Sequence, residues 1–181
     1  MTPPDLFQSV VGHEPSPARE NARASGRIVS INISAGGVPK LPVSSAYVGP
    51  LGLAGDKQRN RRFHGGPMRA LCLYSLERIN ALRDEGHPIV PGSTGENITL
   101  EGIDWPLLVP GIHLALGPAE IAITSFTAPC GVIRRSFSDY SPWRIGEDER
   151  PGWSRVYARV IAEGTLAVGD SVYVLSAPTA G

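Results

Sequence analysis

Apolar and polar positions alternate through Arg27-Ile28-Val29-Ser30-Ile31-Asn32-Ile33-Ser34, with Val29, Ile31 and Ile33 on one face and Ser30, Asn32 and Ser34 on the other. A two-residue period is the mark of a strand with one buried face. The next segment, 34–43, is broken by glycine and proline and reads as a turn; Ala46-Tyr47-Val48 then forms another short strand. Residues 49–68 are rich in glycine and charge and predict a long structured loop, a kind of segment that tends to be functional in small domains. The continuous apolar run Ala70-Leu71-Cys72-Leu73-Tyr74 predicts a buried strand. After it the period changes from two to three: Leu76, Ile79 and Leu82 define the apolar stripe of a helix. Ser75 is placed to cap it, Glu77 favours its first turn, and Gly86 stands where it would end.

Beyond the helix, a glycine-rich loop leads into a strand at 97–100. Two strands, 113–116 and 120–126, flank the turn Gly117-Pro118. The segment from Ser154 to Leu175 predicts two more, across Gly164 and Gly169-Asp170, while 137–152 reads as a long surface loop. Seven or eight short strands with one or two helices predict a mainly β barrel or sandwich. Residues 1–25 carry four prolines without a sustained apolar period and read as a flexible N-terminal arm; 26–176 are expected to form the domain and 177–181 a tail.

Composition narrows the functional classes. At 181 residues the chain suits one packed core, and 41% hydrophobic with 19% charged residues describes a globular domain. Seventeen basic residues balance 17 acidic ones, which argues against general nucleic-acid binding, since that needs a basic surface. The balance is uneven, however. Between Lys57 and Arg69 lie Lys57, Arg59, Arg61, Arg62 and Arg69, together with His64, and no acid. Two cysteines are too few for a disulfide scaffold or a four-cysteine zinc site. No stretch reaches the roughly 18 uninterrupted apolar residues of a membrane span, and the N-terminus lacks the pattern of a secretory signal. A cytoplasmic location without membrane or nucleic-acid partners is the expectation.

Three loops carry chemistry. In Phe126-Thr127-Ala128-Pro129-Cys130-Gly131 a strand ends and a cysteine follows proline, with Arg134 and Arg135 shortly after. Nearby positive charge favours the thiolate, which is both nucleophile and metal ligand; the competing reading is a buried cysteine acting as a small hydrophobe. Cys72, inside an apolar run, fits that second reading. In Phe63-His64-Gly65-Gly66-Pro67-Met68-Arg69, paired glycines let backbone N–H groups approach an anion, and Arg69 adds a planar fork suited to phosphate. His64 either orients a ligand or satisfies loop backbone. In Gly92-Ser93-Thr94-Gly95-Glu96-Asn97, hydroxyls and an amide precede a strand, a set of donors that by itself also describes an ordinary turn.

Taken in order, these pieces resemble the MOSC family, named for the C-terminal domain of molybdenum-cofactor sulfurases. Gly52-Leu53-Ala54-Gly55-Asp56 resembles its G-L-x-G-D turn, His64-Gly65-Gly66 with Arg69-Ala70 its H-G-G-x-x-[KR]-A segment, Gly95-Glu96-Asn97 its G-E-N motif, and Pro129-Cys130 its P-C pair. Gly169-Asp170 resembles the closing turn. The likeness spans about residues 26–175. It implies a mixed β-barrel of the pyruvate-kinase-barrel type with a pocket at one rim. It further implies a molybdenum cofactor, or a persulfide carried on the family's cysteine. Some relatives reduce N-hydroxylated compounds with molybdenum bound by that cysteine.

On this resemblance Cys130 is the expected catalytic residue and metal ligand. His64, Gly65, Gly66, Arg69, Gly95, Glu96, Asn97 and Arg134 are the expected cofactor contacts. A cysteine desulfurase or an electron-transfer protein is the expected partner, and pyridoxal phosphate would belong to the former, not to this chain. Three positions depart from the pattern: Pro67-Met68 precede Arg69 where an acid often stands, Thr127 stands where an arginine often precedes P-C, and Gly111-Ile112 replaces a Gly-Asp turn. A sulfur carrier and a non-catalytic cofactor-binding module therefore stand as alternatives to a molybdenum oxidoreductase.

Overall fold

The computed structural model describes residues 24–57 and 65–175. His64, the arginines at 59, 61 and 62, residues 1–23 of the expected arm at 1–25, and the tail lie outside the described residues; residues 24 and 25 of that arm instead begin the first strand.

Eleven strands are described. They are β1 (Ala24–Ile33), β2 (Leu41–Val43), β3 (Ser45–Gly49), β4 (Gly52–Leu53), β5 (Leu71–Ser75), β6 (Ile98–Glu101), β7 (His113–Leu116), β8 (Ala119–Phe126), β9 (Val156–Ala162), β10 (Gly164–Ala167) and β11 (Ser171–Leu175). Seven of them close into a barrel in the order β11-β7-β8-β9-β5-β6-β1, with β1 returning to β11. The fold is thus mainly β and barrel-shaped. Only the β5–β6 pair is parallel. A parallel pair needs a crossover connection, and α1 (Leu76–Asp84) supplies it. Ser75 caps α1 by accepting from the Arg78 N–H, and Ile79 and Leu82 bury completely beneath the helix. Each contributes roughly 1.5–3 kcal/mol of apolar transfer.

The structure corrects three expectations. The C-terminal segment holds three strands, not two, because β10 leaves the barrel to pair with β3 in a separate three-stranded sheet with β4. The phase of β1 also differs. Its register against β6 shifts between Ile28 and Ser30, a bulge that inserts one residue and changes which side chains face inward. Ile28 and Ile31 are therefore the fully buried apolar residues of β1, whereas Ile33 is only half-buried; Ser30 and Asn32 are buried as well. Finally, 137–152 is not simply a surface loop. Phe137 and Ile145 belong to the core, and Pro142–Ile145 forms a 3-10 turn.

Candidate functional site

The segment after β1 is fastened to the glycine-rich loop before β6. Lys40 N–H donates to Gly92 O over 2.9 Å, and a Cβ at Gly92, whose φ is 81°, would collide with the Lys40 carbonyl oxygen. Only glycine permits that approach. Asp56 ties the same region together from below. Its carboxylate, 3% exposed, accepts from the Ser34 N–H (2.9 Å), Lys40 Nζ (2.5 Å) and Asn97 Nδ2 (2.9 Å). Asn97 in turn accepts the Cys72 N–H at its Oδ1 (3.2 Å), which fixes the loop against β5.

These connections shape one cavity of about 1020 Å3. Into its wall come residues 34–41, Lys57, Gly65, Arg69, Cys72, Thr94, Gly95, Asn97, 130–135, Arg155 and Tyr157. Gly65, Arg69, Gly95, Asn97, Cys130 and Arg134, far apart in the chain, thus share one enclosure. Glu96 does not reach it. Fully buried, its carboxylate accepts from Gly92 N–H (2.6 Å), Thr94 Oγ1 (2.7 Å) and Thr99 Oγ1 (3.3 Å), so it braces the loop from behind. Gly66 also lies outside the wall and starts the 3-10 turn Pro67–Arg69 that carries Arg69. Lys40, Arg155 and Tyr157 are wall residues that sequence reasoning did not single out. None of the three carries a signal specific enough to find it from the sequence: Arg155 precedes a strand that holds a further arginine, Arg159.

The wall is electrostatically one-sided. Among the described residues it presents six cationic side chains, Lys40, Lys57, Arg69, Arg134, Arg135 and Arg155, and no carboxylate, with Lys40 answered by Asp56 behind the wall. With the whole chain neutral, this is a local concentration of positive potential, the arrangement that attracts anions. Cys130 precedes the 3-10 turn Gly131–Ser136 and is a free, half-buried thiol in this field. Cys72 is different. It is buried, pairs across the ladder with Tyr157, and its Sγ lies 4.0 Å from Thr127 Oγ1. Burial pushes its thiol pKa up, against the opposing pull of Arg155 and Lys40. Burial likewise raises the Tyr157 phenol to about 12, with the neighbouring thiols adding to the rise, so the ring keeps its proton at neutral pH. Arg69 lies over that ring, 5.5 Å from its centroid.

The two thiols are therefore expected to react in sequence with iodoacetamide under native conditions. Mass spectrometry should find Cys130 modified first and Cys72 only after unfolding; simultaneous modification would contradict the burial difference.

Residues 60–173 match the model of the MOSC domain. The chain belongs to the MOSC domain family. It is 32% identical over 131 residues to the protein YiiM of Escherichia coli (strain K12), covering 70% of this chain and 57% of that protein. It is 26% identical over 142 residues to YflK of Bacillus subtilis (strain 168), covering 77% of this chain and 63% of the relative. The chain thus spans about three fifths of the length of these relatives. In three dimensions it is similar to YiiM of Geobacillus stearothermophilus, with a TM-score of 0.64 at 24% identity, covering 83% of this chain and 75% of that one. It is also similar to YuaD of Bacillus subtilis, with a TM-score of 0.66 at 20% identity, covering 84% and 96%. These likenesses establish the MOSC fold. No helix among the described residues is long and apolar enough to cross a membrane.

Proposed function

We propose that this MOSC domain binds the molybdenum cofactor in the cavity, with the Cys130 thiolate as the protein's ligand to the metal. The observation that carries the reading is the wall itself: among the described residues, six cations and no carboxylate around one half-buried free thiol. The donor set suits such a cofactor. Among the described residues no group of three His, Cys, Asp or Glu side chains could chelate a bare ion. A cationic cavity with one available soft donor instead fits a metal that arrives on its own anionic chelating ligand. The cavity volume of about 1020 Å3 is ample for a ligand of that size.

Within this reading each residue has a physical task. Arg69, Arg134 and Arg135 neutralise ligand charge at the rim, while Gly65 and Gly95 bring backbone into the wall. Asn97, held by Asp56, keeps the loop before β6 in register with β5. When bound, the metal centre supplies two-electron chemistry such as N–O cleavage, in which an N-hydroxylated amine, two electrons and two protons give the amine and water. A separate electron-transfer protein provides the electrons. The buried Tyr157 phenol, its pKa pushed up to about 12, stays neutral in the wall at neutral pH.

The test is molybdenum and pterin analysis of protein purified from a host that makes the cofactor. Wild type should carry both, and Cys130→Ala should lose most of the metal while keeping its fold. Undetectable molybdenum and pterin in wild type, or unchanged occupancy in Cys130→Ala, would overturn the proposal.

One observation favours a second reading, in which Cys130 carries sulfur. A Cβ placed on Gly131 would meet nothing within 4 Å, so the backbone beside the thiol stands open to a partner. A cysteine desulfurase persulfide would pass its outer sulfur to Cys130, leaving the desulfurase thiol and a Cys130 persulfide. Incubation with a desulfurase and cysteine, followed by mass spectrometry, should then show one added sulfur at Cys130 without any metal.

A further inference from the structure

Arg155 stands just ahead of β9 and joins two walls of the cavity. Its backbone carbonyl accepts from the Thr127 N–H (2.8 Å) on the segment leading to Cys130. Its side chain donates through Nη1 to the carbonyl of Thr94, in the loop before β6. The residue is only 5% exposed and lines the cavity. Yet Nε has no hydrogen-bond partner, and among the described residues no carboxylate lies within ion-pair distance of the guanidinium. A guanidinium does not lose its proton in a protein. A buried cation without a counterion remains costly even after relaxation and water penetration. By contrast Lys40, the other buried cation of the wall, has its charge answered by Asp56.

We propose that Arg155 is the recognition residue of a built oxyanion site on the inner wall of the cavity, and that its ligand group is a phosphate monoester. Planar, forked donors match a phosphate's oxygens two at a time, which a surface lysine cannot do. Thr94, whose hydroxyl donates to Glu96 Oε2, turns its carbonyl to hold the fork in place. The rim arginines, all exposed, supply long-range attraction, whereas Arg155 supplies specificity. The site deepens the cofactor reading and rests on the cavity's being an anion pocket, but it needs no metal.

The test uses the full-length protein freed of any bound cofactor. Inorganic phosphate and phenyl phosphate are titrated calorimetrically into wild type, Arg155→Met, Arg155→Lys and the rim variant Arg135→Ala at constant ionic strength. Wild type should bind saturably. Arg155→Met and Arg155→Lys should each weaken binding roughly 10- to 100-fold, the worth of charge-assisted hydrogen bonds. Arg135→Ala should weaken it less, and its loss should shrink in high salt. The apo form of Arg155→Met should also melt higher than wild type, because an unanswered buried charge has been replaced by an apolar chain. An arginine kept only for structure would produce the opposite thermal shift.

Tighter binding of phenyl phosphate supports the monoester, whereas tighter binding of inorganic phosphate keeps the oxyanion site but overturns the monoester as its ligand group. Phosphate affinity unchanged in Arg155→Met, or absent from wild type, overturns it. If the methionine variant does not fold, the lysine variant decides between the same two outcomes. Molybdenum content, measured separately, reports on the cofactor reading: phosphate binding lost in Arg155→Met while wild type lacks molybdenum would sustain the oxyanion site and sink the cofactor.

Discussion

Asp56→Ala is expected to destabilise the domain by about 3–5 kcal/mol, the cost of stranding one partner of a buried ion pair. The Lys40 ammonium, 10% exposed, would lose its counterion, and the Ser34 N–H and Asn97 amide would lose their acceptor at the same moment. Urea denaturation should show a lower midpoint with an unchanged slope, since the surface exposed on unfolding is the same. Adding Lys40→Met to Asp56→Ala should recover part of the loss, because the uncompensated charge is then gone. A midpoint within experimental error of wild type would show that the pair is not held as described.

The second large effect is expected at Glu96. Glu96→Ala strands the Gly92 N–H and the Thr94 and Thr99 hydroxyls in a buried setting. An unmade buried hydrogen bond costs about 1–3 kcal/mol, and hydroxyls can rotate to recover some of it, so the total should be about 3–5 kcal/mol. Glu96→Gln should cost less, since one oxygen still accepts. The distinguishing measurement is hydrogen exchange. Protection should fall first at the amides of residues 92–97 and then at Cys72, whose N–H leans on Asn97. Uniform loss across the barrel would mean that Glu96 supports the whole fold and not this loop. Asp56 and Glu96 act on the same loop, so their effects should not add.

Both residues illustrate how far a motif can be read. Gly52–Asp56 and Gly95–Asn97 are conspicuous as strings, and the family they point to is the one the chain belongs to. The strings do not say that the two acids do different structural jobs from the donors around them. Asp56 joins three segments without entering the cavity wall, and Glu96, expected as a ligand contact, spends its carboxylate on its own loop. Arg155 is the converse. It carries no motif, and its importance rests on burial and, among the described residues, a missing counterion, neither of which a linear pattern expresses.

The sequence alone determined the local elements whose cause is local. The cap at Ser75, the three-residue spacing of α1, the apolar run Leu71–Tyr74 of β5 and the Gly117 turn depend on neighbours within a few positions, so their periods are readable directly. Only the tertiary structure decided what depends on register and enclosure. The bulge in β1 moved Ile28 inward, β10 found its partner in β3, and Phe137 left an apparent loop for the core. It also decided the site. Burial sets the cost of a charge, and burial is a property of what the rest of the chain places around a residue, as at Lys40, Asp56 and Arg155.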